Sequence, residues 1–264
     1  MTFLLFAITS DTEEGCMSFG REQRRRRMSQ LVFIHGPGAG GCAEAFRYQF
    51  EYFHGSVAPT LPGHLAGASC PSVERYTEWL RGWLWAQGHQ GDLVLVGFTL
   101  GACIALQYAL DYPEEVRGLV LMTVSMRSKT RAPDTLAFRL RAAQEPAFYE
   151  QWINAMREAM QWVDPVMRES LIACHRQVGP RSQHDDLVVI DQFDVQDRIY
   201  TLQPPLLLIR GMDDPLVLEE YEREIHEAVP GSQYIPLREA GHFPMAEQPV
   251  TVNKVIQAFV DKLG

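Results

Sequence analysis

The sequence predicts a single-domain α/β protein built on a mostly parallel β-sheet with helices on both faces. Several short runs of strand length are continuously apolar, which is typical of strands buried on both faces of a parallel sheet. These runs alternate with stretches that carry apolar residues at helical spacing, as in βαβ units. The alternation breaks for about 70 residues and then resumes, which indicates one helical insertion within a single fold.

The first half of the chain contains most of the predicted strands. An N-terminal strand over 3–8, a turn at 11–15 and a second strand over 17–22 precede four consecutive arginines, Arg24–Arg27. Strands are then predicted at 31–34, weakly at 56–59, at 93–96 and at 116–124, and helices at 44–53, 73–85 and 100–110.

The second half begins with the helical insertion, at residues 127–200. Its aromatic side chains Phe138, Phe148, Trp152 and Trp162 are candidates to line a pocket. The alternation returns with strands at 206–209 and 233–237 and helices at 218–228 and 250–263. We therefore expect a core formed by residues 1–126 and 201–264, with residues 127–200 as a helical cap.

Composition narrows the class of function. The 264 residues carry a net charge of −9, which disfavours nucleic acid as a partner. No apolar run reaches the roughly 18 residues of a membrane span.

The five cysteines include no C-x-x-C pair, which disfavours a disulfide framework or zinc site and favours a cytoplasmic location. The N-terminal apolar run lacks the features of a signal peptide, and a start at Met28 stays open.

The strongest motif is Gly97-Phe98-Thr99-Leu100-Gly101, which stands directly between a predicted strand and a buried helix. It resembles the nucleophile elbow G-x-S-x-G, with threonine in place of serine. In that turn the nucleophile sits on strained backbone, and the flanking glycines allow strand and helix to approach closely.

Four further segments extend the resemblance to the α/β-hydrolase superfamily over nearly the whole chain. They are His35-Gly36-Pro37-Gly38, Leu61-Pro62-Gly63-His64, Asp214-Pro215-Leu216-Val217 and Gly241-His242-Phe243. The resemblance implies the α/β-hydrolase fold, with a mostly parallel eight-stranded sheet and a helical cap. The order nucleophile, acid, histidine is that of the superfamily.

The resemblance also implies roles for individual residues. Thr99 would be the nucleophile, His242 its general base, and Asp214 the acid that orients the imidazole, with Asp213 as the rival acid. The backbone N–H of Leu100 would bind the oxyanion. The usual second donor position is occupied by Pro37, and the N–H of Gly38 could replace it if the loop shifts. No metal and no organic cofactor is implied, and His35 and His64 are interpreted as structural.

Two departures from the superfamily pattern bear on activity. The extra methyl group of threonine crowds the reacting carbon and restricts χ1. Pro37 lacks the N–H that usually donates to the oxyanion, and the loss of one such donor costs roughly 2.7–4 kcal/mol of transition-state stabilisation. Together they predict slow hydrolysis, an unusual substrate or lost catalysis.

Two other motifs are interpreted as incidental. Residues 36–41 satisfy G-x-G-x-x-G, but a dinucleotide site needs an acidic residue about 20 positions later, where this chain has Thr60-Leu61-Pro62-Gly63. His184-Asp185-Asp186 lacks further metal ligands nearby and is interpreted as a solvated loop.

We therefore expect a hydrolase that cleaves a small, largely apolar ester, lactone or thioester through an acyl-enzyme on Thr99. Two alternatives stay open. One is a non-hydrolytic enzyme of this fold (a lyase, cyclase or cofactor-free oxygenase) that uses His242 as a general base. The other is an inactive ligand-binding member of the superfamily. The partner in each case is a small molecule, and the sequence does not predict an oligomeric state.

Overall fold

The computed structural model describes residues 29–38 and 43–264. The strands expected over 3–8 and 17–22, and Met28, lie outside the described residues. The strands are β1 (Gln30–Ile34), β2 (Leu93–Phe98), β3 (Val116–Met122), β4 (Leu206–Gly211) and β5 (Gln233–Leu237). The helices are α1 (Arg47–Tyr52), α2 (Val73–Ala86), α3 (Leu100–Asp111), α4 (Pro133–Gln144), α5 (Pro146–Ala159), α6 (Pro165–Val178), α7 (Pro180–Gln192), α8 (Glu219–Ala228), α9 (Pro244–Glu247) and α10 (Pro249–Lys262).

The five described strands form one sheet in the order β1-β2-β3-β4-β5, and every neighbouring pair is parallel. This confirms the predicted α/β class with a parallel sheet, and the five corresponding strand predictions. The weak strand expected at 56–59 is reduced to one parallel bridge, between Val32 and Val57. All six residues of β2 are buried, as its uninterrupted apolar sequence requires.

The segment between β3 and β4 is helical, as expected. Each of its four helices, α4 to α7, has a proline in its first turn, where the missing N–H costs nothing. The start of α6 is also capped, because the Asp164 side chain accepts hydrogen bonds from the N–H groups of Val166 and Met167. Within the described part of the chain, no helix is long and apolar enough to cross a membrane.

The interpretation of His184-Asp185-Asp186 as a solvated loop was wrong. These residues lie within α7, and Asp186 is completely buried. Tyr76 of α2 donates a hydrogen bond to Asp186 Oδ1 at 2.6 Å, and His64 Nε2 lies 3.0 Å from Asp186 Oδ2. The buried carboxylate thus attaches α7 to α2 and to the loop that contains His64.

Two glycines allow α3 to pack directly against the strand ends. A Cβ added to Gly101 would lie 1.9 Å from the carbonyl oxygen of Ile34, and one added to Gly97 would lie 2.4 Å from the carbonyl oxygen of Gly101. Because backbone atoms cannot yield as a flexible side chain can, any larger residue would separate α3 from β1 or β2.

Replacing Gly101 with alanine is therefore expected to destabilise the protein by at least about 2 kcal/mol, the range of a severe overpacking. Gly82→Ala is the matched control, since Gly82 is also helical but exposed, with no atom within 4 Å of its added Cβ. Its higher helix propensity should stabilise the fold by about 0.5–1 kcal/mol. Urea denaturation measures both values, and similar effects of the two substitutions would contradict the packing argument.

Candidate active site

Thr99 occupies a strained turn between β2 and α3. Its φ of 48° and ψ of −108° are unfavourable for a β-branched residue. Thr99 N–H is fixed by a 3.1 Å hydrogen bond to the carbonyl oxygen of Met122. Its hydroxyl oxygen is buried and has no hydrogen-bond partner among residues 29–38 and 43–264. The hydroxyl occupies the space that a side chain on Gly36 would fill, since a Cβ there would lie 1.9 Å from Thr99 Oγ1.

His242 and Asp214 form a directed pair. His242 Nδ1 lies 2.9 Å from Asp214 Oδ2, while Asp214 Oδ1 accepts hydrogen bonds from the N–H groups of Leu216 and Val217 at 2.7 and 3.1 Å. Burial by itself raises the pKa of Asp214, but the charge and hydrogen bond of His242 and the two backbone donors together lower that pKa below its ordinary value. The pairing leaves His242 Nε2 as the ring nitrogen available to a hydroxyl group or water.

The rival acid, Asp213, is not part of this pair. Its side chain is exposed, and its backbone N–H donates to the carbonyl oxygen of Ala240 at 2.9 Å. Of the two neighbouring carboxylates, the structure therefore brings only Asp214 to the imidazole.

A buried ion pair supports the loop that carries Asp214. Arg210 of β4 donates to Glu222 of α8 at 2.6 Å and to the carbonyl oxygen of Val217 at 2.8 Å. The other oxygen of Glu222 accepts the N–H of Thr123 at 2.7 Å. Thr123 also has a positive φ, 55°, so the ion pair fixes both the acid loop and the strained end of β3.

The expected oxyanion residues follow the ends of β1 and β2. Leu100 is the first residue of α3, and the first N–H groups of a helix have no intrahelical acceptor and favour negative charge. Pro37 lies in the cavity wall but has no N–H to donate. Gly38 also lies in that wall, with a φ of 61° that favours glycine.

His175 of α6 packs against Gly38, and sequence reasoning did not identify it. A Cβ added to Gly38 would lie 2.9 Å from His175 Nε2. Trp152 donates its indole N–H to that nitrogen at 3.1 Å, and burial lowers the pKa of His175 to about 4. The imidazole is therefore neutral at pH 7 and braces the Gly38 backbone from the side of the helical insertion.

These groups meet at one cavity of about 230 Å³. Thr99 and His242 both line it, together with Phe138 and Trp152 of the helical insertion, whereas Trp162 is exposed. His35 and His64 are buried outside the lining, and a His35 nitrogen accepts the N–H of Leu61 at 2.9 Å. The remaining lining is largely apolar, but it includes three cations that the sequence did not indicate as site residues: Lys129, Arg131 and Arg139.

The described residues offer no metal site, because no group of three or more His, Cys, Asp or Glu side chains among them is arranged to hold an ion. The chemistry that this arrangement can perform itself is proton transfer and nucleophilic attack. An uncommitted hydroxyl group and an imidazole oriented by a carboxylate line the same apolar cavity.

Glu247 lies behind the histidine loop. Its Oε2 accepts the N–H of Gly241, the residue before His242, at 2.5 Å. Burial raises the pKa of Glu247 to about 7, and the charge of Asp214 adds to this effect, while the Gly241 hydrogen bond and His242 oppose it. Its carboxyl group is thus partly protonated near neutral pH.

Comparison with known proteins places these observations in a family. A sequence model of the alpha/beta hydrolase family matches residues 31–255. The protein named carbamate hydrolase RutD of Klebsiella pneumoniae is 30% identical over 175 residues, which are 62% of this chain and 64% of that protein. The match thus spans slightly less than two thirds of the curated relative's length. Lipase 1 of Psychrobacter immobilis is 25% identical over 236 residues, 82% of this chain and 72% of the lipase.

A solved structure shows the same fold. A thermophilic esterase from Thermogutta terrifontis superposes with a TM-score of 0.75 at 22% identity, covering 89% of this chain and 90% of the esterase chain. At that identity the likeness establishes the fold, while any shared chemistry has to be argued from the site.

Glu247→Gln is expected to raise the melting temperature increasingly as the pH rises from about 5 to above 7. The folded pKa lies above the ordinary value of 4.5, so the stability from the protonated form is complete below pH 4.5 and is lost as the pH rises through 7. Glutamine keeps the hydrogen-bond acceptor without the charge. We expect a gain of about 1–2 kcal/mol above pH 7, or roughly 2–8 °C in melting temperature. A pH series of thermal unfolding measures the difference. Glu227→Gln, at an exposed position of α8, is the control, and an equal pH dependence there would contradict the assignment.

Proposed function

The chain belongs to the alpha/beta hydrolase family, and from that membership and the site geometry we propose that it is a hydrolase of esters, lactones or thioesters. Thr99 is the proposed nucleophile, His242 the base and Asp214 the orienting acid. The observation that carries the proposal is the pairing of an uncommitted, buried Thr99 hydroxyl with an Asp214-bound imidazole in one cavity. Relatives named as a carbamate hydrolase, a lipase and an esterase support this class of reaction.

The proposed reaction begins with attack of Thr99 Oγ1 on the substrate carbonyl carbon while His242 Nε2 takes the hydroxyl proton. The N–H groups of Leu100 and Gly38 stabilise the oxyanion of the tetrahedral intermediate. His242 returns the proton to the leaving group, which departs as an alcohol or thiol and leaves an acyl ester on Thr99. A water molecule activated by His242 then releases the acid and restores the hydroxyl.

In this proposal residues 127–200 act as a cap over a core formed by residues 1–126 and 201–264. Side chains from α4 to α7 supply much of the cavity wall, including Phe138, Trp152, His175 and Ile190. The largely apolar lining suits a small substrate with an apolar body, because such a body loses little solvation there.

A non-hydrolytic reaction with His242 as general base is the second candidate function. It is favoured by two observations at the same site, the threonine methyl group and the missing N–H of Pro37. Both impair acyl transfer, but neither impairs proton abstraction by an imidazole. The two candidates differ in whether the Thr99 hydroxyl is needed.

Initial rates on short-chain 4-nitrophenyl esters, compared among the protein, Thr99→Ala and Thr99→Ser, test the nucleophile. Thr99→Ala should fall to background because no hydroxyl remains, and Thr99→Ser should exceed the parent because the crowding methyl group is gone. Ester hydrolysis that survives Thr99→Ala but disappears in His242→Ala would overturn Thr99 as the nucleophile in favour of water activated by His242 as a general base.

Asp214→Asn and Asp213→Asn test the acid as a matched pair. Asparagine at position 214 should favour the wrong imidazole tautomer and lower kcat on the same esters by about 10⁴-fold, as in the serine protease triad. Asp213→Asn should change kcat by no more than a few-fold, because that side chain is exposed. Comparable losses in both variants, with native thermal unfolding, would contradict the assignment of Asp214.

A further inference from the structure

The cavity wall carries more positive than negative charge on one side. Lys129, Arg131 and Arg139 all line it, and one carboxylate, Asp191 of α7, serves two of them. Arg131 Nε lies 3.2 Å from Asp191 Oδ1, and Arg139 forms an ion pair with Asp191 Oδ2. Both oxygens of Asp191 thus form ion pairs with the two arginines, and Lys129 forms none with this carboxylate.

Lys129 finds no such partner within the described residues. Its side chain is only 7% exposed, and its ammonium group makes no hydrogen bond or ion pair with residues 29–38 or 43–264. The centroid of the Tyr221 ring lies 5.5 Å from Nζ, within the range of a cation–π contact. Buried ammonium groups are normally paired, because desolvation of an isolated charge is costly, and burial accordingly lowers the pKa of Lys129.

The other charged group near Lys129 is also committed. Glu222 contributes to the electrostatic environment of Lys129, but its two oxygens accept hydrogen bonds from Arg210 and from the N–H of Thr123. The remaining titratable neighbour, Cys103, is buried, and burial raises the pKa of its thiol to about 12, so it is neutral at pH 7. Asp191 also favours the positive charge of Lys129 electrostatically, but its direct ion pairs are with the two arginines. Three cations therefore share one carboxylate, and this part of the cavity wall keeps a net positive charge.

We propose that the cavity binds a ligand that carries a carboxylate, with Lys129 as its ion-pair partner and Arg131 beside it. As a statement about substrate, this rests on the proposed function: the substrate is then an ester, lactone or thioester with an apolar body and a free carboxylate. The charge preference of the cavity itself does not depend on the reaction. A carboxylate supplies the anion that Lys129 lacks, and the guanidinium of Arg131 is 26% exposed and able to share it.

The position of Lys129 suits a small substrate. Lys129 follows β3 and Thr99 follows β2, and these neighbouring parallel strands end at the same edge of the sheet. Cys103, which is close enough to Lys129 to interact electrostatically, lies one turn into α3, where its N–H donates to the carbonyl oxygen of Thr99 at 3.0 Å. A carboxylate at Lys129 therefore leaves the rest of a short ligand beside the nucleophile.

Binding measurements that do not require turnover test the charge preference. Calorimetric titrations compare phenylacetate and hexanoate with their neutral amides, phenylacetamide and hexanamide, at one pH and ionic strength. Each carboxylate should bind about tenfold or more tightly than its amide, as for a hydrogen bond to a charged group. Lys129→Met should abolish this preference, and Lys254→Met, at an exposed position of α10, should retain it.

Loss of an unpaired buried charge should not prevent Lys129→Met from folding, and Arg131→Gln provides a second variant, in which the preference should weaken. Equal binding of acids and amides, binding of neither, or a preference that persists in both Lys129→Met and Arg131→Gln would overturn the proposal.

A kinetic comparison separates this inference from the proposed function. The esters are mono-4-nitrophenyl glutarate, which carries a carboxylate, and 4-nitrophenyl pentanoate, which does not. A higher kcat/KM for the glutarate, lost in Lys129→Met, supports both proposals. Hydrolysis without charge preference, together with equal binding of acids and amides, overturns the anion site and leaves the hydrolase. Carboxylate-selective binding without hydrolysis of either ester overturns the hydrolase and leaves the anion site.

Discussion

The approach of α3 to the ends of β1 and β2 is the constraint on which the site depends. Gly97 and Gly101 bring backbone against backbone, at distances that no Cβ would allow. The chain then has to turn from strand to helix within one residue, and Thr99 takes a φ of 48°. The Thr99 hydroxyl lies against Gly36, so this packing and the hydrogen bond from Thr99 N–H to the carbonyl oxygen of Met122 together position the proposed nucleophile.

The acid and histidine loops are positioned by polar contacts instead. The Arg210–Glu222 pair is buried, and such pairs contribute little net stability compared with an apolar replacement. Its contribution here is geometric, because the same two side chains also bind the carbonyl oxygen of Val217 and the N–H of Thr123. Asp214 then accepts the N–H of Val217, so the ion pair and the proposed acid hold the two backbone groups of one residue.

The sequence predicted the parts of the structure that local patterns determine. Continuous apolar runs gave the five described strands, and the spacing of glycines around Thr99 gave the turn, because both reflect contacts between neighbours in the chain. The strand predicted at 56–59 does not form over its full length. One of its four residues is a proline, which has no N–H to donate to a hydrogen bond of the sheet. Only Val57 pairs in the structure.

The helical insertion shows where such patterns stop being informative. Asp186 was interpreted as part of a solvated loop because no further metal ligands stand near it in the sequence. In the structure its position on α7 turns it toward Tyr76 and His64. Lys129, Arg131 and Arg139 gave no site signal either, since isolated cations in a helical segment normally form a solvated surface. Their convergence on one cavity depends on how α4 and α7 pack against the core, which no local spacing encodes.

Two side chains of the cavity wall are informative because each lacks the partner that a group of its kind normally has in a native protein. Among the described residues, the Thr99 hydroxyl is buried without a hydrogen bond, and Lys129, which is only 7% exposed, forms no ion pair. Each arrangement leaves a desolvated polar group without the hydrogen bond or ion pair that would compensate its loss of hydration. Both residues line the same cavity, and a single small molecule with an electrophilic carbonyl and a carboxylate would satisfy both at once. Native proteins depart from such rules mainly at functional sites. Here two independent departures, a hydroxyl without a hydrogen bond and a charge without an ion pair, lie in one cavity.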